Sequence, residues 1–544
     1  MSATVSGTPQ AADGPASEAA RRGLDSPWQM PKGQAGFLLL FALTAGLILF
    51  LRLFQLDRLQ REIYGDIDVV FKTVKQVLAG NWPRRFDLSS GPLYHYLVTP
   101  IILLTGLNYA GLKLASVLVS LAGLGATYAA ARRLVNDYFA LLVTFIAGVS
   151  SWLLIFSRLG NSQIVLPLLT MLALWLAVRI VQNGRLWEVA ACAFVSGLGL
   201  FAYPQSFILP GVIFLTLWAL GRTGHSLPRG WIRSFILISG VCLIPFTWIV
   251  TTDLANFTGG YIAGKIIPVS GSTALAVLGQ NALRALLALH VRGDAAYRSN
   301  PSGLPELDWI SGVFFLAGIV FWFSSKERRR WVPLWLVPLI LLQVPSVLVL
   351  NRPVEVPSAS RTLGVAPIVY LLVGSGLWWL ALAIHRRGQR RLALLVTGLL
   401  LAGILFLNTQ RYFQNYLNGL PYHDTPIGAI IADFANLLPA GTQVYMVGCC
   451  WESENTPDRF IGYDMTRPYD LHYVDAQDLS CDRMRSWGQP AVVLWDPHLA
   501  LPAAQLAACS AWLPTQQYSY QGWPIFNEAA LRPITNPQVA EPEH

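Results

Sequence analysis

Residues 36–54 read GFLLLFALTAGLILFLRLF, and shortly after them comes YGDIDVVFKTVKQVLAG, residues 64–80. The first stretch is nineteen residues long with one charge, close to the roughly 20 apolar residues that a helix needs to cross a bilayer. Residues 1–35 before it are rich in Ala, Gly, Ser and Pro and lack the cleavage pattern of a signal peptide. They are expected to form a disordered tail ahead of an uncleaved anchor. The second stretch places Asp66, Asp68, Lys72 and Lys75 together in a chain that is only 13% charged and 54% hydrophobic, with mean hydropathy +0.46. Soluble proteins carry about 25% charged residues, so this composition indicates a polytopic membrane protein.

Runs long enough to span recur near 36–54, 111–131, 137–156, 163–181, 187–203, 205–221, 232–251, 309–324, 331–350, 363–384 and 392–409. Eleven spans are expected. Every second loop is basic: Arg132 and Arg133, Arg179 and Arg185, Arg222 to Arg233, Lys326 to Arg330, and Arg386 to Arg391. The positive-inside bias puts these loops and the N-terminus in the cytoplasm. Residues 55–110, the long stretch 252–308, the loop NRPVEVPSASR and everything after Asn408 then lie outside. The net charge of +9 divides unevenly, because residues 411–544 hold 6 Lys+Arg against 14 Asp+Glu (6 − 14 = −8), leaving +17 for the rest. The basic residues sit in short loops between spans, so the basic balance speaks for topology and against a nucleic-acid partner. PLYHYLVTPIILLTG, Pro92–Gly106, is short and contains Pro100, and a crossing there would invert every later loop. It reads as re-entrant or interfacial, with an ordinary short spanning helix as the alternative.

In the opening stretch, apolar residues recur at Ile67, Val70, Phe71, Val74, Val77 and Leu78, a helical stripe opposite Asp68, Lys72, Lys75 and Gln76. The expected element is an amphipathic helix lying on the membrane, begun by YGD and ended by GNWP. Asp66 falls at its N-cap, which by itself accounts for an Asp there without catalysis. Asp68 points away from Asp66 on a helix, so the two make a poor metal clamp unless the backbone there is extended.

The order of the parts adds a second reading. An anchor helix, an outer loop with a carboxylate, an interfacial helix, many spans and an exported tail resemble a GT-C type glycosyltransferase. More narrowly, the chain resembles the family 39 glycosyltransferases, which include protein O-mannosyltransferases and aminoarabinose transferases of lipid A. The resemblance covers about residues 36–420. It rests on YGDIDVVFKTVKQVLAGNWP, SGPLYHYLVTPIILLTG, NYAGLKLASVL, WLLIFSRLGNSQIVLPLLTMLALWLA, LGLFAYPQSFILP, HVRGDAAYRSNPSGLPELDWISGVFFLAG and SASRTLGVAP, in that order. Members commonly carry an Asp-Glu pair in the first outer loop, whose Asp is the base. The matching positions here are Asp66 and Ile67, so the Asp is kept and the Glu is lost, with Asp68 one place later as a second carboxylate. Where the family usually has Arg after the interfacial segment this chain has Lys113, which keeps the charge without the guanidinium fork.

The resemblance implies transfer of a sugar from a polyprenyl-phosphate donor to an acceptor hydroxyl on a protein, lipid or glycan outside the cytoplasm. A hydroxyl attacking an anomeric carbon must lose its proton, and Asp66 is the candidate general base. Direct displacement with one base inverts the anomeric centre. The departing phosphate needs fixed cations, and Lys113, Arg158, Arg292, Arg298 and Arg361 are the candidates on the outer side. Arg158 lies between two apolar spans on the same side as Asp66; ionisable groups near spans tend to be functional, which favours a role in the site over the alternative of an interfacial anchor. Lys113 reads equally as a snorkelling residue at a span end. Residues 290–308 are polar and rich in Gly and Pro, the composition of a lid or of a simple solvated connection, and residues 272–290 before them have helical periodicity and are expected to lie on the membrane. His95 and His290 are read as aromatic-belt residues. No His, Asp or Glu cluster has metal-ligand spacing, so no cofactor is required, although a divalent cation at Asp66 and Asp68 stays open.

Residues 411–544 change to a polar, acidic composition. DTPIGAIIADFANLLPAG and LPAAQLAACSAWL read as helices, TQVYMVGC and PAVVLWDP as buried strands, which makes a small exported α/β domain. The expected domains are therefore a cytoplasmic tail 1–35, a GT-C transmembrane domain 36–410 and the exported domain 411–544. Cys449, Cys450, Cys481 and Cys509 in that domain allow one or two disulfides, whereas Cys192 and Cys242 lie in spans. The domain carries no catalytic pattern and is a candidate to help bind acceptor or carrier. A lipid-linked glycan transporter or flippase, and a polytopic glycan polymerase or ligase, are the alternative functions. The first is disfavoured because no paired halves with broken helices are visible.

Overall fold

The structure, a computed structural model, describes residues 34–63, 67–84, 86, 91–254, 257, 266, 271–448, 457–487, 490–499, 516–520 and 522–530. Each of the eleven apolar runs forms a helix. Seven are long and apolar enough to cross a membrane: Ala35–Leu53, Tyr109–Leu134, Ser162–Asn183, Pro204–Arg222, Trp231–Thr252, Leu363–Arg386 and Arg390–Tyr416. The run 137–156 is a broken span, Asp137–Val149 and Ser151–Arg158, bent by 62°. The other three, Leu186–Phe201, Trp309–Phe323 and Val332–Val347, are shorter apolar helices. In the last of these Pro338 interrupts the helix interior, where its ring removes a backbone hydrogen bond.

The chain divides into two compact units, one made of residues up to Arg52 with 119–156 and 163–415, the other of 53–118, 157–162 and 416–544. In the first unit the break at Ser150 has its own hydrogen-bond partners. Ser150 is extended (ψ 135°), its hydroxyl donates to the Ala147 carbonyl at 2.8 Å, and the next amide, Ser151 N–H, donates to Asn408 Oδ1 at 2.9 Å. A chain that leaves helical geometry at membrane depth needs such partners. Asn408 Nδ2 in turn donates to Asp308 Oδ2 at 2.9 Å, and Asp308 caps the helix Trp309–Phe323 by accepting from Ser311 N–H at 2.9 Å. That helix crosses Ala366–Arg386 at close range through glycine. A Cβ on Gly318 would stand 1.9 Å from the Leu372 carbonyl oxygen, and one on Gly376 would stand 2.2 Å from that of Phe314. Small residues at such a crossing let backbones touch. Gly318→Ala should therefore force the helices apart and cost roughly 1–3 kcal/mol or more, read as a lower unfolding temperature in detergent, whereas Gly398→Ala, which meets nothing within 4 Å, should be neutral.

In the second unit the helix Ile67–Leu78 forms where the stripe predicts it. Its apolar face is not laid on lipid, however, which corrects the sequence expectation: Ile67, Val70, Phe71, Val74 and Val77 are all buried within protein. The helices Pro92–Thr105 and Pro457–Ile461 pack on it, and a Cβ on Gly462 would stand 2.7 Å from Phe71. Pro92 opens the first of these helices, Pro100 lies within it, and Gly106 ends it at φ +84°.

The tail holds a mixed sheet of β1 (Gln443–Val447), β2 (Leu471–Val474), β3 (Ala491–Trp495), β4 (Gln516–Tyr520) and β5 (Trp523–Ala530) in the order β2-β1-β3-β5-β4. β1 lies parallel to β2 and β3, and β5 runs antiparallel to β3 and β4. Tyr445, Val447, Val493, Trp495 and Met484 make its core, and the helix Ile427–Leu437 forms as its sequence pattern predicts. The helix expected over 501–513 lies outside the described residues. Cys192 and Cys242 are buried free thiols and Cys481 is disulfide-bonded, while Cys449, Cys450 and Cys509 lie outside the described residues.

Candidate functional site

The predicted base, Asp66, lies outside the described residues, and the structure describes the chain up to Ile63 before it and from Ile67 after it. The helix Ile67–Leu78 begins one residue after it. Before it, residues 54–63 have little regular structure, and such a segment can be buried only if its backbone polar groups find partners. They find ionic ones. Lys113, on the helix Tyr109–Leu134, is buried and donates from Nζ to the carbonyls of Leu59 at 2.8 Å and Leu56 at 3.0 Å. Its ammonium also stands 4.4 Å from the centre of the Tyr109 ring, within cation–π range. Arg158, at the end of the broken span and equally buried, donates to the carbonyls of Phe54 at 2.9 Å and Gln55 at 3.3 Å. Two of the proposed phosphate cations thus converge on one loop, which they hold by its carbonyls.

Carboxylates from the loop and the tail complete this polar centre. Asp424 Oδ2 accepts from Gln60 N–H at 2.8 Å, and the Gln60 amide donates to Tyr416 Oη at 2.6 Å. Burial raises the Asp424 carboxyl to about 6, with the hydrogen bond from the Gln60 backbone N–H and then the Lys113 charge pulling the other way. Glu62 is buried, accepting from Gly428 N–H and from the Tyr463 hydroxyl, each at 2.8 Å, with the Arg459 guanidinium 3.9 Å away. Burial raises its carboxyl above the ordinary glutamate value, an effect opposed by Arg459. None of these four tail and loop partners, Glu62, Asp424, Arg459 or Tyr463, stands out in the sequence.

Asp68 lies on the first turn of its helix, half-buried, with Oδ1 accepting the N–H of Val69 at 2.8 Å. No group of three or more His, Cys, Asp or Glu side chains is placed to hold a metal ion among the described residues.

Arg292, Arg298 and Arg361 belong to the other compact unit. Arg292 is exposed, and Arg298 Nε donates to Tyr297 Oη at 3.2 Å. Arg361 pairs with the Glu355 carboxylate and also donates to the Glu355 carbonyl at 3.2 Å. The segment 290–308 around the first two is folded on itself. Asp294 is buried and accepts from Ala296 N–H and Ala359 N–H, both at 2.8 Å, while its own N–H donates to Glu306 Oε1 at 3.1 Å. The helix Gly271–Leu287 that leads into it exposes Leu275, Leu283 and Leu286, and its Asn281 donates to the carbonyls of Val347 and Val349, both at 3.0 Å. His95 is buried in the second unit, and His290 is exposed with its Nε2 3.1 Å from the Gly312 carbonyl.

Burial, reinforced by Asp294, raises the Glu306 carboxyl to about 8, and burial raises Asp294 to about 6. A raised carboxyl means that the folded protein holds a proton that the unfolded chain has released, so stability falls as pH rises from the ordinary glutamate value toward 8. Glu306→Gln keeps an acceptor for Asp294 N–H without the ionisation. Thermal unfolding in detergent should show the variant losing less stability than the wild type between pH 6 and pH 9, by about 1 kcal/mol for each pH unit of the window removed.

Residues 89–250 match the family model described as dolichyl-phosphate-mannose-protein mannosyltransferase. No curated protein matches the sequence. Among solved structures the chain is similar to ArnT from Cupriavidus metallidurans. The apo form is 14% identical, with TM-score 0.54 over 91% of this chain and 98% of that one. The form bound to undecaprenyl phosphate is 13% identical, with TM-score 0.57 over 94% of this chain and 100% of that one. The mostly helical membrane protein with its small mixed sheet therefore has the GT-C fold.

Proposed function

We propose that this membrane protein of the GT-C glycosyltransferase superfamily moves a sugar from a polyprenyl-phosphate donor to an acceptor hydroxyl, with inversion, at the outer face of the cell membrane. The acceptor oxygen attacks the anomeric carbon, Asp66 takes the hydroxyl proton, and the bond to the phosphate oxygen breaks to release polyprenyl phosphate. The N-terminus lies in the cytoplasm and residues 411–544 outside, so that carrier, acceptor and Asp66 share one side. Lys113 and Arg158 add positive potential beside the loop that precedes Asp66, where a departing phosphate gains most. Arg292, Arg298 and Arg361 are the remaining candidates to meet the donor. A monophosphate leaving group can be met by such cations alone, and a divalent ion at Asp66 and Asp68 is not needed for any step.

The observation that carries this reading is the anchored loop 54–63. Buried cations and carboxylates are costly to place, and they are used here to fix the backbone that leads directly to Asp66. A transporter that never breaks a glycosyl bond has no need of a fixed base at that point. The test is release of polyprenyl phosphate by purified protein supplied with a panel of polyprenyl-phosphate sugars and acceptors, with and without a chelator. Release that survives the chelator supports the reading as stated. Movement of intact donor across a vesicle membrane, with no release from any donor, would replace it with transport.

A further inference from the structure

Ile63, three residues before Asp66, has both of its backbone groups held by the tail. Its N–H donates to Tyr463 Oη at 2.7 Å, and its carbonyl accepts from the Arg459 guanidinium. The Tyr463 hydroxyl donates its own hydrogen bond to Glu62 Oε1 at 2.8 Å, and the other Glu62 oxygen accepts from the Gly428 N–H. All of these groups are buried. The peptide unit behind them is clamped as well: Gly462 accepts the Tyr109 N–H at 2.9 Å, and a Cβ on Gly462 would stand 2.6 Å from Ile63. Almost 400 residues of chain separate these partners, so the contacts are not a by-product of local folding.

We propose that Glu62, Arg459 and Tyr463 are positioning residues for Asp66, so that the tail is a working part of the catalytic site and not an accessory domain appended to it. The inference rests on Asp66 being the base. Its physical content is that a general base must stay within hydrogen-bond reach of the hydroxyl it deprotonates, and a displacement of about 1 Å can cost on the order of 100-fold in rate. Arg459 and Tyr463 fix Ile63, the buried Ile67 fixes the other side, and only the three residues 64–66 lie between. Glu62 touches no substrate in this scheme. It orients the Tyr463 hydroxyl so that the oxygen lone pair faces Ile63 N–H.

The test uses the full-length protein and two readouts. Tyr463→Phe removes one hydroxyl from a packed ring, and Arg459→Lys keeps the charge while losing the fork that reaches the Ile63 carbonyl. Hydrogen exchange, which needs no substrate, should be faster in the peptide spanning residues 55–70 of both variants while the membrane helices exchange as in the wild type. In turnover, kcat should fall about 10- to 100-fold with KM for the donor unchanged within about twofold. Adding Asp66→Asn to Tyr463→Phe should lower the rate no further than Asp66→Asn alone, because a misplaced base and a missing base are the same loss. Unchanged exchange in 55–70 would overturn the clamp itself. Faster exchange with wild-type kcat, or a loss carried by KM, would overturn the positioning role. Faster exchange in a protein whose wild type releases no carrier from any donor would instead overturn the reading of Asp66 on which the inference stands, and the two failures are told apart by the wild-type control.

Discussion

Asp66→Asn should stop carrier release, lowering kcat by ~10²–10⁴-fold while leaving the protein folded and the donor bound. The substitution is clean for a specific reason. The helix Ile67–Leu78 starts one residue later, and Asn is as favourable as Asp at the N-cap position that the sequence pattern assigns to residue 66, so the exchange keeps the local helix preference. Asn keeps the shape and the acceptor oxygen but cannot take a proton. The neighbouring carboxylate is the control. Asp68 already spends Oδ1 on the N–H of Val69, and Asp68→Asn should preserve that bond and most of the activity. Equal losses from both substitutions would point to a shared ion or a shared structural role. Wild-type release by Asp66→Asn would remove the base from the mechanism altogether.

The membrane helices were legible because a run of apolar residues means much the same thing wherever it lies in the chain, and the helix Ile67–Leu78 was legible in its stripe. What covers that stripe was not. An amphipathic pattern is identical whether lipid or protein meets it, and only the structure shows Phe71 against Gly462. The same limit hides the anchors of the loop before Asp66. Lys113 was visible as a charge near a span end, but its targets are the carbonyls of Leu56 and Leu59, and a backbone carbonyl has no sequence signature. Glu62, Arg459 and Tyr463 are ordinary residues in polar stretches until the fold brings 62 and 463 together. In the tail, β1 and β3 are buried and apolar and were readable. β2 has four residues, and the outer strand β4 is exposed and polar, so neither carries the alternation that marks a strand.

Lys113→Met should be the most damaging single change outside Asp66 itself, and the way it fails separates two roles for the cation. If Lys113 serves only the donor phosphate, Met removes one charge from a folded site, so KM for the donor rises while the loop and its stability stay as they were. The observed bonds argue for a larger effect. Met has no donor, so the Leu56 and Leu59 carbonyls lose their Nζ partner inside the protein, at about 1–3 kcal/mol each, although water entering the site would recover part of that. The buried Asp424, which Lys113 and Arg158 both favour in its charged form, loses one of the two. The expected result is a marked fall in the unfolding temperature, rapid hydrogen exchange across 54–66 and loss of kcat together with donor affinity. Lys113→Arg tests the same point from the other side. It restores the charge but needs room for a planar fork where an ammonium now sits between two carbonyls and the Tyr109 ring, so it should recover part of the stability and little of the rate. A Lys113→Met protein that is as stable as the wild type, with quiet exchange in 54–66 and only a raised KM, would make Lys113 a phosphate ligand first and would leave the anchoring of the loop to Arg158, Arg459 and Tyr463.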